Sequence, residues 1–192
     1  MLNKNYLLPS AYLAPISYYS ILIKYPNSII EQYEHFTKQT IRNRCSIYTS
    51  NGLLTLSIPK VRKSSSKTLM KDIQICYTEP WQKIHWNTMK SSYNSSPFFE
   101  YYMNELYIIY HKKEKYLLDF NIKAHHLILE FLQIEKSMSL STKYNSKTEL
   151  EDFRQYLFNT NQKIQYDQVF STKNNFINNL SIIDLIFNLG PE

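Results

Sequence analysis

Glycine is nearly absent from this chain of 192 residues, in which Gly52 and Gly190 are the only two. A loop that cradles phosphate with backbone amides needs several glycines within one turn, because only glycine lets the backbone approach the anion so closely. The scarcity of glycine therefore excludes a P-loop, a dinucleotide-binding fingerprint and a kinase-type glycine-rich loop. Any phosphate that this protein binds has to be held by side chains.

Cysteine and long apolar runs are also scarce. The two cysteines, Cys45 and Cys76, have no second metal ligand at a zinc-type spacing. We therefore expect two reduced thiols and no metal. No window approaches the ~20 apolar residues of a membrane-spanning helix, and the N-terminus lacks the apolar run of a signal peptide. We expect a cytoplasmic protein with no transmembrane segment and no cofactor.

Basic residues are in excess, with a formal net charge of +6. Of the 22 basic residues, 18 are lysine, and lysine, asparagine, isoleucine and tyrosine are raised together, as is typical of AT-rich genomes. A nucleic-acid-binding module that stacks bases on its 17 tyrosines and 10 phenylalanines is an alternative. Many of these tyrosines fall on predicted helix faces, where they are more simply core residues. We therefore do not expect nucleic acid as the partner.

The N-terminal region alternates strand, loop, helix and strand patterns. Tyr6–Leu8 and Ser28–Gln32 are predicted strands, and Pro15–Tyr25 between them has apolar residues at helical spacing. This order predicts a parallel β-α-β unit. The loop after the first strand of such a unit usually faces a ligand, which makes Ser10 and Tyr12 candidate binding residues.

The rest of the chain adds a hairpin and several helices. Asn51-Gly52, between predicted strands at 46–50 and 53–58, is the strongest short hairpin signal. Other patterns predict a strand at 72–76, helices at 80–93, from 97, at 121–134 and at 149–157, a strand at 165–170, and a C-terminal helix between Ser181 and Gly190. A polar segment near 135–147 predicts a flexible loop. We expect one α/β domain over residues 1–192, with a small mixed β-sheet, a β-hairpin and several packed α-helices.

Two adjacent histidines, His125 and His126, flank the apolar stripe of the helix predicted at 121–134. Neighbouring residues on a helix point in different directions, so the two rings cannot bind one metal together. We expect both at the surface or at the edge of the core.

Several stretches, in order along the chain, resemble the WbqC-like protein family. They are Tyr12-Leu-Ala-Pro-Ile, Glu31-Gln32, Lys38 to Cys45, the hairpin from Asn51 to Pro59, Met70-Lys-Asp-Ile, His85-Trp-Asn, Ser95 to Tyr102, Tyr166 to Phe170 and Asn179 to Pro191. The family is named for members encoded in gene clusters for cell-surface polysaccharide of the O-antigen type. The resemblance implies a cytosolic, transferase-type enzyme acting on a nucleotide-activated or amino sugar. It does not name a reaction.

A cluster of basic residues supplies the candidate anion site. Arginine binds phosphate or carboxylate through two parallel hydrogen bonds, so Arg42 and Arg44, aided by Lys38, are the predicted clamp. If this stretch is extended, both arginines share one face, and Asn43 points the other way and fixes the loop. The expected partner is an anionic small molecule such as a nucleotide-sugar. The sequence gives no oligomeric state.

Other roles stay open for these charged residues. The arginines could instead form structural ion pairs with Glu31 and Glu34. Acid–base catalysis could fall to His35, His85, Glu31 or Asp184, and of these we take His35 and Asp184 as the candidate catalytic residues. Asp184 is the only acid in the terminal helix, and we expect it either to pair with an arginine, which we slightly favour, or to be catalytic. The residues predicted to line one pocket are Ser10, Tyr12, Lys38, Arg42, Asn43, Arg44 and Asp184. A third class of function is a non-catalytic scaffold for an envelope-synthesis enzyme, docked through Tyr101-Tyr102.

Overall fold

The computed structural model describes residues 6–25, 27–62, 67–135, 139–146, 151–155, 158 and 165–191. Its elements are β1 (Tyr6–Pro9), α1 (Ile16–Lys24), β2 (Ser28–Glu31), β3 (Arg44–Thr49), β4 (Gly52–Ser57), a 3₁₀ turn (Met70–Asp72), α2 (Trp81–Tyr93), α3 (Phe99–His111), α4 (Leu117–Phe131), β5 (Ser139–Leu140), β6 (Glu151–Asp152), α5 (Ser171–Asn174) and α6 (Ile182–Leu189). The predicted α/β class, with a hairpin and packed helices, is confirmed.

Four strands form a parallel sheet in the order β5-β2-β1-β6. The predicted β1-α1-β2 unit is present, and its central strand β1 buries Leu7 and Leu8 completely. Strand β2 lies on one side of β1, with β5 beyond it at the edge of the sheet. The last strand, β6, lies on the other side of β1. The strand order therefore reverses between β1 and β6. In open α/β sheets, ligands bind outside the carboxyl ends of the strands at such a point.

The second sheet is the predicted hairpin, formed by β3 and β4. Pairing runs from Arg44 opposite Ser57 to Thr49 opposite Gly52, so the two unpaired turn residues are Ser50 and Asn51. Gly52 follows the turn with a φ of +98°, a conformation that non-glycine residues rarely adopt. The hairpin is confirmed, with its glycine just after the centre of the turn.

The helices pack around a core rich in aromatic side chains. Helices α2 and α3 lie where the sequence predicted them, and α4 begins at Leu117, four residues before the predicted start. The C-terminal helix α6 is also confirmed.

The two ends of α6 contact other parts of the chain. Ser181 occupies the N-cap position of α6, but the Ser181 hydroxyl donates to Leu13 O at 2.7 Å. At the other end, a Cβ on Gly190 would lie 2.9 Å from the Phe98 ring, and its φ is +78°.

Three predicted elements are wrong in the part that the structure describes. Residues 72–76 do not form an extended strand: the 3₁₀ turn is followed by isolated bridges at Gln74 and Ile75. Residues 151–152 of the predicted helix at 149–157 form β6, which pairs with β1. Residues 165–168 have no regular secondary structure, and 169–170 form a turn. Each segment is short, so tertiary partners decide its conformation more than its own pattern does.

The polar segment near 135–147 contains β5, which the sequence analysis missed. Its two residues pair with β2, and Ser141 directly after them is buried. The flexibility of this segment stays a prediction. Among the helices in the described ranges, none combines the length and the apolar composition needed to cross a bilayer.

Candidate functional site

A cleft of about 700 Å³ lies at the carboxyl ends of β1 and β6. This volume falls within the range of small-molecule sites. The cleft is lined by Pro9, Pro15, Thr37, Gln39, Thr40, Ile41, Arg42, Arg44, Cys45, Ser46, Thr55, Arg154, Gln155, Phe158, Asn179 and Ser181. Its walls therefore include the end of β1, the segment after β6, the loop before β3, and the hairpin.

Three of the four arginines of the chain line this cleft: Arg42, Arg44 and Arg154. The fourth, Arg62, is exposed and lies outside it. Arg154 was not among the predicted site residues, because it falls in a stretch that the sequence pattern predicts to be a helix. No local pattern marks it, and only the pairing of β6 with β1 brings it beside the other two.

The Arg42 guanidinium is committed to other protein groups. Its Nε and Nη2 donate to Glu34 Oε1 and Oε2 at 2.8 and 2.6 Å, and both side chains are buried. Nη2 also donates to the backbone carbonyl of Arg154 at 3.0 Å, and Nη1 to Thr40 Oγ1 at 3.3 Å. Burial raises the pKa of Glu34, and the hydrogen bonds from Arg42 oppose that rise. For Arg42, the structure shows the ion-pair alternative.

Arg154 is hydrogen-bonded along one edge of its guanidinium. Its Nε and Nη2 donate to Asp152 Oδ1 and Oδ2, both at 2.9 Å. Its Nη1 is buried and has no hydrogen-bond acceptor among the described residues; the nearest carboxylate oxygen with which it pairs, Glu31 Oε2, is 3.8 Å away. The Tyr144 ring covers the guanidinium, with its centroid 5.0 Å from Cζ. Arg154 Nη1 therefore lies at ion-pair distance from Glu31 but makes no hydrogen bond.

Glu31, the last residue of β2, is fully buried, and its carboxylate is hydrogen-bonded by protein donors. It accepts hydrogen bonds from Ser141 Oγ (2.6 Å), Tyr33 N (2.8 Å), and the backbone and side-chain nitrogens of Asn145 (3.0 and 3.2 Å). A buried carboxylate with four donors is satisfied without a directly hydrogen-bonded cation. Glu31 thus ties β2 to the segment after β5.

Arg44 opens strand β3 and is half-buried. Within the described part of the chain, its side chain makes no hydrogen bond and no ion pair, so its guanidinium is available to a ligand in the cleft. Next to it, the Asn43 amide donates to Ser57 Oγ (3.3 Å) and Ile58 O (3.0 Å), which fixes the loop against β4 as the sequence suggested. Lys38 is exposed and does not line the cleft.

Ser10 lies in the loop after β1 but is buried and does not line the cleft. Its Oγ accepts a hydrogen bond from Asn121 Nδ2 at 2.9 Å, and the same amide donates to Arg42 O at 2.8 Å. Ser10 therefore takes part in holding the loop that carries Arg42. Ser10 therefore lies in the loop where the sequence predicted it, but it is buried and does not face the cleft.

Tyr12 is also fully buried, in a cluster of titratable side chains. Its hydroxyl lies 2.9 Å from His85 Nδ1 and 2.5 Å from the Tyr110 hydroxyl. Burial lowers the pKa of His85 to about 4, so this ring is neutral at pH 7. Tyr12 does not line the cleft.

The two predicted catalytic residues, His35 and Asp184, do not line the cleft, and their catalytic roles stay predictions. His35 is exposed. Asp184 is buried and accepts hydrogen bonds from the hydroxyls of Tyr93 (2.8 Å) and Tyr166 (2.6 Å) and from Gln168 Nε2 (3.0 Å). Burial raises its pKa, and these three donors oppose the rise. Its partners are thus tyrosines and an amide instead of the expected arginine.

His125 corrects another expectation, because it is buried and its ring stacks on Tyr19 with centroids 5.2 Å apart. His126 is exposed, as expected. Of the seven residues predicted to line one pocket, the structure brings Arg42 and Arg44 together in the cleft. Arg154 lines the same cleft beside Arg42 and Arg44, and the sequence did not predict it.

The chain matches no curated protein and no solved structure. The sequence model of the WbqC-like protein family matches residues 10–156, well over half of its length. The chain therefore belongs to the WbqC-like protein family.

Proposed function

We propose that this protein is a transferase-type enzyme of cell-surface polysaccharide biosynthesis that binds a nucleotide-activated or amino sugar in the cleft. The observation that carries the proposal is that three guanidinium groups line one cleft at the carboxyl edge of the parallel sheet. The polysaccharide context comes from the resemblance to the family.

Nucleotide-sugars carry a negatively charged diphosphate, and the chain has no glycine-rich loop to receive one. Guanidinium groups are the suited alternative because their planar fork donates two parallel hydrogen bonds to phosphate oxygens. Arg44 has such a fork without a competing partner among the described residues. The cleft volume of about 700 Å³ supports a ligand of more than a few atoms.

The scaffold alternative has less support. Tyr101 is 74% exposed, but Tyr102 packs on Phe131 with ring centroids 4.5 Å apart. The two tyrosines therefore do not form one exposed patch, and a docking surface would have to recruit other side chains of α3.

A thermal-shift and calorimetric screen tests the proposal. Nucleotide-sugars such as UDP-glucose, with acyl-CoAs and aminoacyl donors for comparison, are added to the wild-type protein. Because a ligand that binds only the native state stabilises it, saturation at about 100 times Kd should raise Tm by about 5–10 °C. The free sugar without its nucleotide is the control and should leave Tm unchanged. Amino sugars are screened in the same way, and if neither a nucleotide-sugar nor an amino sugar binds, the proposed function is wrong.

A further inference from the structure

We propose that Arg44 and Arg154, rather than Arg42, form a clamp that binds a diphosphate group in the cleft. This inference rests on the proposed function, because both place the ligand in the same cleft, and it specifies the chemical group and the two residues that contact it. It revises the pair of arginines to which the sequence alone points.

The first half of the clamp is Arg44. Its side chain is half-buried and lines the cleft. No carboxylate in the described part of the chain pairs with it. A partly desolvated cation without a counter-ion is stabilised when an anion arrives, and a phosphate accepts both hydrogen bonds of the fork.

The second half is Arg154. Asp152 accepts from its Nε and Nη2, which are one edge of the guanidinium, and leaves the Nη1 group without an acceptor among the described residues. Glu31 Oε2, 3.8 Å from Nη1, forms an ion pair with it but is too far away to accept a hydrogen bond. A buried donor of this kind is costly unless a ligand or water satisfies it, and Arg154 lines the cleft. An oxygen of a bound phosphate would satisfy it.

Arg42 has no such capacity. Each of its three guanidinium nitrogens already has an acceptor: Glu34 for Nε and Nη2, and Thr40 for Nη1. A ligand phosphate would have to displace the buried Glu34 carboxylate, which would then lose its counter-ion. The geometry therefore assigns Arg42 to the framework of the site.

A diphosphate fits this pair better than a single carboxylate or phosphate does. The two guanidinium groups belong to different elements, with Arg44 on β3 and Arg154 after β6. A diphosphate carries acceptor oxygens on two phosphorus atoms, so it offers one phosphate to each guanidinium. Binding to two linked groups also gains from effective concentration, because the second contact is intramolecular.

The test uses inorganic pyrophosphate as the probe, titrated by calorimetry at fixed ionic strength. The wild-type protein is expected to bind pyrophosphate at least ~10-fold more tightly than inorganic phosphate. Arg44→Gln should weaken pyrophosphate binding about 10- to 100-fold, as expected when a hydrogen bond to a charged group is lost. Arg154→Lys, which keeps the charge beside Asp152, should weaken it by at least ~5-fold because the fork is gone.

Arg62→Gln is the matched control, since it removes one exposed arginine outside the cleft. It should keep the wild-type affinity within about twofold at fixed ionic strength. The clamp is overturned if wild type does not bind pyrophosphate, if Arg44→Gln binds it as wild type does, or if Arg62→Gln loses as much affinity as Arg44→Gln. If Arg154→Lys does not fold, the test is the ratio of the affinities for pyrophosphate and phosphate. The clamp predicts that Arg44→Gln loses the preference for pyrophosphate that wild type shows.

The same titrations separate this inference from the proposed function. Arg44-dependent binding of pyrophosphate, with no binding of UDP-glucose, any other nucleotide-sugar or an amino sugar, would support the clamp and overturn the function. Nucleotide-sugar binding that Arg44→Gln leaves unchanged would support the function and overturn the clamp.

Discussion

Arg42 and Glu34 form a two-point ion pair at the edge of the cleft, with Nε–Oε1 and Nη2–Oε2 distances of 2.8 and 2.6 Å. Both side chains are almost completely removed from solvent. Since Arg42 also donates to the Arg154 carbonyl, the pair joins the loop after β2 to the segment after β6. The residue that the sequence offers as a ligand clamp is therefore part of the framework that shapes the cleft.

Arg42→Ala should destabilise the protein by about 3–5 kcal/mol, because it leaves the buried Glu34 carboxylate without its partner. Urea denaturation monitored by circular dichroism measures the loss. Arg62→Ala, at an exposed position, is the control and should change stability by less than about 0.5 kcal/mol. A wild-type denaturation midpoint for Arg42→Ala would show that the pair contributes nothing.

Gly52→Val should destabilise the hairpin by about 1–3 kcal/mol. No heavy atom lies within 4 Å of the position that a Cβ would take, so the cost comes from the backbone φ of +98° and not from a clash. Gly52→Asn should cost less, since asparagine tolerates positive φ better than a β-branched residue does. The two denaturation midpoints check this order, and equal losses would point to a cause other than φ.

His85 should make the protein lose stability in mild acid. Its folded-state pKa of about 4 lies below the ~6.5 of an unfolded chain, because the ring is buried. The stability that it contributes is present above pH ~6.5 and is lost as the pH falls towards 4. The complete loss is about 3 kcal/mol at 1.36 kcal/mol per pH unit.

The measurement is the free energy of unfolding between pH 7 and pH 4 for wild type and His85→Gln. Buried Asp184 and Glu34 have raised pKa values and act in the opposite direction, but they are present in both proteins and cancel in the comparison. His126→Gln, at an exposed position, should keep the wild-type pH dependence. If His85→Gln has the same slope as wild type, His85 is not the group that titrates.

The two thiols should differ in reactivity. Burial raises the pKa of Cys45, whereas hydrogen bonds from Thr78, whose Oγ1 lies 3.2 Å from the sulfur, lower the pKa of half-buried Cys76. Because the thiolate is the nucleophile, iodoacetamide should modify Cys76 and spare Cys45 in the folded protein. Peptide mass mapping reads out the sites. Both should react in denaturant, and Cys76→Ser should leave the folded protein unmodified; early alkylation of Cys45 would contradict its burial.

Sequence reasoning succeeded where structure is encoded locally. The β1-α1-β2 unit has apolar spacing and breaks within one contiguous stretch, and the hairpin has its own turn residues. It failed at β5 and β6, because each has two residues and becomes a strand only by pairing with β2 or β1. Arg154 was missed for the same reason. Its role depends on a pairing with the distant N-terminal strand, which no window around residue 154 contains.

Strand β1 also sets the order in which the protein can assemble as it is synthesised. On one side, Tyr6 and Leu7 pair with Ser28 and Ile29, which are synthesised soon after them. On the other side they pair with Glu151 and Asp152, which are synthesised more than 100 residues later. On the ribosome, the first unit can close while the other side of its central strand is still unpaired. An unpaired edge on an apolar strand can pair with other chains, so the nascent protein is most exposed to aggregation during this interval. The side of the cleft that contains Arg154 can form only after β6 has paired with β1.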